Sequence, residues 1–125
     1  MFIKHNANPI KNIVGDCVIR AIAVAMNEDY EIVYIGLMIQ GLGMYDLPSA
    51  NEVWGTYLLT KGFSRFNIPN TCPLCYTIKD FCRDYPSGSY VLGTGTHAVA
   101  VVDGNYYDTW DSGDEVPMYA FRKER

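Results

Sequence analysis

The residues best suited to chemistry in this 125-residue chain are one cysteine, one histidine and one aspartate, in that order. Cys17 stands directly before an apolar run with helical spacing, and Asp16 before it is a good N-cap residue. The free backbone N–H groups of a helix's first turn stabilise a negative charge, so a thiol placed there ionises more readily. We therefore expect Cys17 to be a nucleophile at the start of a helix.

A thiol nucleophile needs a general base, and His97 is placed to serve as one because it opens a predicted strand. The segment Asp103-Gly104-Asn105 predicts a hairpin turn, after which the chain returns in a second strand. A two-residue turn, at either Asp103-Gly104 or Gly104-Asn105, places Asp108 on the face that carries His97. A three-residue turn places Asp111 there instead. We expect Asp108 to orient His97, with Asp111 as the reserve.

Each of these residues also has an ordinary structural interpretation. Cys17 could be a small core residue, His97 a histidine with a structural hydrogen bond, and Asp108 an exposed carboxylate beside a turn. Their joint occurrence, in an order that suits a catalytic triad, favours catalysis.

The elements around these residues predict an α+β domain over residues 1–125. Residues 1–14 look like an irregular or short extended lead-in. Helices are expected from 17 to about 26, from 30 to 40 with a stop at Gly41-Leu42-Gly43, from a capping box at 49–52 to Thr60, and from Thr77 to Asp84. The apolar period then changes to two, which predicts strands at 89–92, 97–102, 106–110 and 116–121. We expect N-terminal helices packed on a C-terminal antiparallel sheet.

Composition excludes several classes of partner. The net charge is −4 with only 10 Lys and Arg, and the one basic run is at residues 122–125, so nucleic acid is not expected. No apolar run is long enough to span a membrane, and the N-terminus lacks the pattern of a signal peptide. These features predict a cytoplasmic protein with no membrane partner, and they leave its oligomeric state open.

The other cysteines, Cys72, Cys75 and Cys82, suggest a second kind of site. In a reducing compartment we expect them to be thiols or ligands rather than disulfides. The two-residue spacing of Cys72 and Cys75 is shared by zinc knuckles and redox pairs, so a zinc or dithiol module is a minor alternative. Our main expectation is a protein without a metal or a cofactor.

The order Cys17, His97, Asp108 resembles the papain-like cysteine peptidase superfamily. Asp16-Cys17 and the strand that begins at His97 are similar to the compact bacteriocin-leader peptidases of that group. The segments 15–23 and 103–110 also resemble small phage-encoded proteins assigned to that fold. The resemblance implies a papain-like fold and a Cys17–His97 ion pair oriented by Asp108. It also implies attack on the carbonyl of a protein or peptide substrate, in the cytoplasm of a host cell.

The family places a glutamine six residues before its cysteine to stabilise the oxyanion, and that position here is Lys11. The resemblance then leaves the adjacent amide of Asn12, together with the backbone N–H of Cys17, to fill this role. The expected function is a cysteine-dependent hydrolase or acyltransferase, as a peptidase or isopeptidase. The alternative is a weak or inactive phage protein of this fold that binds and inhibits a host factor.

Overall fold

The helices and strands follow one another much as the hydrophobic periodicity predicts. The computed structural model describes residues 1–124 and shows an α+β fold. Its elements are β1 (Phe2–Lys4), α1 (Cys17–Met26), α2 (Tyr30–Met44), α3 (Asn51–Thr60), β2 (Phe63–Asn67), α4 (Ile78–Asp84), β3 (Ser89–Gly93), β4 (Ala98–Val102), β5 (Asn105–Asp108) and β6 (Tyr119–Lys123).

The six strands form one mixed sheet in the order β1-β5-β4-β3-β6-β2. The expectation of a wholly antiparallel C-terminal sheet was wrong in two respects. β1 pairs in parallel with β5, and β2 adds an edge beside β6, so both edges come from earlier parts of the chain. A three-residue strand such as β1 contains too few positions for an alternating pattern to be recognised.

Helices cover both faces of the sheet, and α1 is the central one. α1 packs on β4 and β3, while α2 lies outside it and contacts α1 and α3. Alternate sheet residues such as Val91, Ala98 and Ala100 join the core beneath these helices. Their neighbours Val99 and Val101 join a second core with α4. The small side chains of β4 allow α1 to lie close to the sheet.

α2 is longer than expected, because the glycines at 41 and 43 do not end it. A glycine inside a helix costs only about 1 kcal/mol, which packing can offset. A Cβ at Gly41 would lie 2.7 Å from the carbonyl oxygen of Asp46, so the chain folds back closely against this glycine. The helix ends instead where Tyr45 adopts a left-handed conformation. Among residues 1–124, no helix has the length and apolar character needed to cross a membrane.

The two sequence-predicted helix starts with capping residues differ in outcome. Thr77 caps α4 as expected: its hydroxyl accepts from the Asp80 N–H at 3.3 Å, and the Asp80 carboxylate accepts from the Thr77 N–H at 2.9 Å. The capping box at Ser49 was wrong, because Ala50 occupies the N-cap position of α3. The Asn51 amide there donates to the carbonyl of Gly95 at 3.2 Å, which ties the start of α3 to the loop before β4.

Candidate active site

Cys17 is the first residue of α1 and is half-buried. Asp16 holds the N-cap position, but its side chain makes no hydrogen bond to the helix backbone, so the expected cap is absent. Asp16 therefore leaves the N–H groups of the first turn uncapped, and their partial positive charge acts on the thiol.

The Asp16 carboxylate turns instead towards a buried polar cluster. It accepts from Arg20 Nε at 2.7 Å, from the Tyr30 hydroxyl at 2.8 Å and from Asn8 Nδ2 at 3.2 Å. Burial alone would raise the pKa of Asp16, but these hydrogen bonds and the Arg20 charge hold that pKa below its usual value. The negative charge next to Cys17 is thus neutralised by Arg20, one helical turn further on.

His97 and Asp108 meet at the ends of neighbouring strands, with His97 Nε2 at 2.6 Å from Asp108 Oδ2. The turn residues Asp103 and Gly104 have φ values of 51° and 78°, as a tight two-residue hairpin requires. Val102 therefore pairs with Asn105, which is the first of the two registers considered above. Asp111, the reserve, accepts instead from the Tyr106 hydroxyl and from a backbone N–H.

Asp108 is only 2% exposed, and its carboxylate accepts several hydrogen bonds. Besides His97, it accepts from the Ser112 hydroxyl at 2.6 Å, the Thr109 N–H at 2.8 Å and Arg20 Nη1 at 3.3 Å. Burial opposes its ionisation, but the hydrogen bonds from His97 and Ser112 outweigh burial and keep the pKa of Asp108 low. Asp108 is held as a carboxylate in one orientation.

Cys17 and His97 form a pair in which each favours the charged form of the other. Since His97 Nε2 is used by Asp108, Nδ1 is the nitrogen left for the thiol. Burial would raise the pKa of Cys17, but hydrogen bonds with His97 and the Ala98 N–H lower it. Burial would likewise lower the pKa of His97, whereas Asp108 and Cys17 raise it to about 9. Both shifts favour a thiolate beside an imidazolium.

Trp110 lies next to this pair and limits the freedom of the imidazole. Its ring centroid is 5.2 Å from that of His97, with the two planes tilted by 33°. The indole is 46% exposed, so it covers one side of His97 while forming part of the surface.

The hydrogen bonds that Asn12 makes within residues 1–124 are local to its own loop. Its amide oxygen accepts from the Ile13 N–H at 3.1 Å, and its side chain is exposed. Within residues 1–124 no hydrogen bond joins it to Cys17, His97 or Asp108. Lys11, with a left-handed φ of 58°, turns the chain just before it, which a helical or extended lead-in would not do.

A small cavity of about 200 Å³ opens between α1, α2 and the loop that precedes α3. Residues on both sides of Cys17 in the chain form one wall, and α2 forms the other. The lining is largely apolar: Gly15, Asp16, Val18, Ile19, Tyr34, Leu37, Met38, Pro48 and Ser49. Sites for drug-sized molecules measure about 300–1,000 Å³, so this cavity suits a single side chain.

The remaining cysteines are not arranged as expected. Cys72 and Cys75 are joined by a disulfide in an exposed turn, closed by the Leu74 N–H donating to the Thr71 carbonyl. The expectation of thiols or ligands was wrong for this pair, because the turn brings the two sulfurs together. Cys82, a free thiol as expected, belongs to α4 itself and joins the second core. No cluster of three potential metal ligands occurs in the described part of the chain.

Sequence reasoning missed four members of the polar cluster. Arg20 bridges Asp16 and Asp108, and its i, i+4 spacing from Asp16 is a signal that could have identified the pair. Tyr30, Asn8 and Ser112 had no such signal, since their partners are set by how distant segments pack.

Comparisons of this chain with protein-family models, with curated proteins and with solved structures found no match.

Proposed function

We propose that this protein is a cysteine-dependent hydrolase or acyltransferase, with Cys17 as nucleophile, His97 as acid and base, and Asp108 as the group that orients His97. The observation that carries the proposal is the 2.6 Å contact between His97 and Asp108, beside a thiol at a helix start. A papain-like fold is part of the same proposal, supported by the α+β architecture and by this order of residues.

In the first step, Cys17 Sγ attacks the carbonyl carbon of an amide or thioester and forms a C–S bond. The carbonyl π electrons move to oxygen and return as the bond to the leaving group breaks. An amine leaving group takes its proton from the His97 imidazolium. Asp108, held by Ser112 and Arg20, keeps the imidazole ring turned towards the thiol throughout.

In the second step, water or an amine attacks the acyl-enzyme. The neutral His97 accepts a proton from the attacking group, and the acyl group leaves as a carboxylate or as a new amide. Cys17 departs as the thiolate, which restores the ion pair with His97.

In each step a negative charge develops on the carbonyl oxygen, and hydrogen-bond donors must stabilise it. The start of α1 supplies backbone N–H groups for this purpose. The backbone N–H of Cys17 and the uncapped first turn carry a partial positive charge close to the reacting sulfur. The side-chain hydrogen bond of Asn12 uses its amide oxygen, so its NH2 group stays the candidate for a second donor.

The cavity lined by residues on both sides of Cys17 supports a protein or peptide substrate that places an apolar side chain there, although Cys17 itself is not part of its lining. The Asp16 carboxylate that borders it is neutralised by Arg20, so the cavity offers no free charge to bind a charged side chain.

The direct test is the rate of iodoacetamide alkylation at each thiol as a function of pH, followed by mass spectrometry. Cys17 is expected to react faster than Cys82, whose pKa burial raises, and to retain this reactivity below pH 8. His97→Ala should slow the alkylation of Cys17 near neutral pH by roughly ten- to a hundredfold, because the thiolate loses its cationic partner.

His5→Ala is the matched control, since His5 is the other histidine of the chain and packs on Tyr107 away from Cys17. It should leave the Cys17 profile unchanged. If Cys17 reacts no faster than Cys82, or if the two histidine variants behave alike, the proposed ion pair does not exist.

Turnover is tested with p-nitrophenyl esters of N-acylated leucine and aspartate. We expect a burst of nitrophenol equal to the enzyme, an acyl adduct on Cys17, and faster acylation by the leucine ester. Acylation, followed as the rate of the nitrophenol burst, should be fastest between the lowered pKa of Cys17 and the pKa of about 9 of His97, because only there do both groups carry their charges.

Lys11, at the position where the family has its glutamine, favours one alternative, a protein of the same fold that binds and inhibits a host factor without efficient catalysis. A reactive Cys17 that forms an acyl adduct but never releases it would support this alternative. Repeated turnover would exclude it.

A further inference from the structure

The outward face of α2 is apolar although nothing within residues 1–124 covers it. Nine large apolar side chains between residues 32 and 47 are exposed: Ile32, Tyr34, Ile35, Met38, Ile39, Leu42, Met44, Tyr45 and Leu47. A helix that is apolar on all sides is normally buried on all sides. An exposed apolar area of this extent is typical of an interaction surface.

Four of these residues form a straight row, which we name the α2 seam: Ile32, Ile35, Ile39 and Leu42. At 100° per residue the row points away from the buried residues Val33, Leu37 and Gly41. Its spacing of three, four and three residues is that of a helix packing against another helix along its length.

The intervals between residues of the α2 seam, three, four and three, are the same in both directions along the helix. Two α2 helices placed antiparallel about a two-fold axis at position 37 therefore put Ile32 opposite Leu42 and Ile35 opposite Ile39. A symmetric dimer needs such a self-complementary patch, because each copy contributes the same surface.

Charge also favours pairing with an identical helix in this orientation. Glu31 is the one charged residue of α2 and lies in its first turn. Antiparallel pairing holds the two copies of Glu31 about 18 Å apart along the axis, at 1.5 Å per residue, whereas parallel pairing would place them side by side. Each Glu31 then lies over the glycine at position 43 of the other copy, where no side chain obstructs it.

The α2 seam residues are 52–72% exposed, so each seam offers apolar area that a second copy can bury. We propose that the protein forms a symmetric dimer in which the α2 seams of two copies pack antiparallel. The inference is independent of the proposed catalytic function.

Sedimentation equilibrium of the full chain tests the dimer, and two charge variants test its geometry. Ile35→Glu and Ile39→Lys should each weaken self-association by at least roughly a hundredfold, since each buries two unpaired charges per dimer. Mixing the two variants should restore a heterodimer, because the antiparallel register places the new Glu against the new Lys.

Ile10→Glu is the matched control, because Ile10 is equally apolar and exposed but lies outside α2. It should leave the dimer intact. Circular dichroism and the Cys17 alkylation rate should be unchanged in all three variants, which would show that they fold.

A wild-type monomer at the highest soluble concentration would overturn the proposal, and so would a dimer that persists in both charge variants. Failure of the mixed variants to associate would overturn the antiparallel register. Binding of a monomeric wild type to phosphatidylcholine vesicles, lost in Ile35→Glu, would show that lipid rather than a second copy covers this face.

Discussion

α1 and α2 are neighbouring helices with equally apolar sequences, yet they occupy different environments. α1 lies between the sheet and α2, and Ile22 on it is fully buried. α2 has the protein on one side only, and Ile39 on it is 66% exposed. A helix with an apolar sequence needs to be buried, but the sequence does not say whether the same chain or another molecule buries it.

The two proposals also use different parts of the two helices. α1 presents its N-terminal end, where Cys17 meets His97, and its one arginine is tied to two buried carboxylates. α2 presents its side, the apolar α2 seam. The proposed chemistry thus depends on a helix that is held rigidly, and the proposed association depends on one that is left free.

The largest expected effect comes from removing the charge that anchors α1. Arg20→Met leaves the Asp16 carboxylate buried without a cation and the Asp108 carboxylate with His97 alone, which should lower the free energy of unfolding by about 3–5 kcal/mol. Urea denaturation measures this loss. The same substitution should slow the alkylation of Cys17, because Asp108 loses the hydrogen bond from Arg20 Nη1 that helps to orient it.

Arg83→Met is the matched control, because Arg83 also contacts two carboxylates, those of Asp80 and Asp84. That cluster is exposed to solvent, so the substitution should leave the free energy of unfolding almost unchanged. Equal losses in the two variants would contradict the distinction between a buried and an exposed arginine.

Next in size are apolar truncations on the two helices. Ile22→Ala on α1 should cost about 2–5 kcal/mol of unfolding free energy, since the side chain is buried and leaves a cavity. Ile32→Ala on the α2 seam should change it by less than about 0.5 kcal/mol in dilute protein, where the monomer dominates. Urea denaturation at low concentration makes the comparison. A large loss for Ile32→Ala in the monomer would show that the seam already supports the single chain.

Acid should weaken the attachment of α1 before it affects the apolar core. The pKa values of Asp16 and Asp108 lie below the usual 3.8 in the folded protein. As the pH falls, the unfolded chain therefore takes up protons at these carboxylates before the folded protein does, which favours unfolding. Their contribution is fully present above pH 3.8 and is lost as the pH falls through their lower folded-state values. Asp16→Asn should flatten this decline in an acid titration followed by circular dichroism, and an unchanged slope would contradict it.

The smallest effect is expected at Ser112, which supports Asp108 by a single hydrogen bond. Ser112→Ala should cost about 1 kcal/mol of unfolding free energy and slow Cys17 alkylation by less than tenfold, because three other donors still hold the carboxylate. A loss as large as that of His97→Ala would mean that Ser112, rather than Arg20 and His97, controls the orientation of Asp108.

The sequence alone determined the features that depend on neighbours in the chain. The start of α1 at Cys17 follows from an apolar run with helical spacing, and the hairpin at Asp103-Gly104 sets the register that brings Asp108 opposite Val99, next to His97. Both arise from backbone hydrogen bonds over short separations, which residue type and spacing control directly.

The tertiary structure decided what depends on distant segments. Arg20 reaches Asp108 across 88 positions of the chain, and Asp16 turns from its helix to Tyr30. The exposure of α2 has the same origin, since its apolar pattern is the same whether or not another layer covers it. Such contacts are set by how the elements pack together, and no local pattern encodes them.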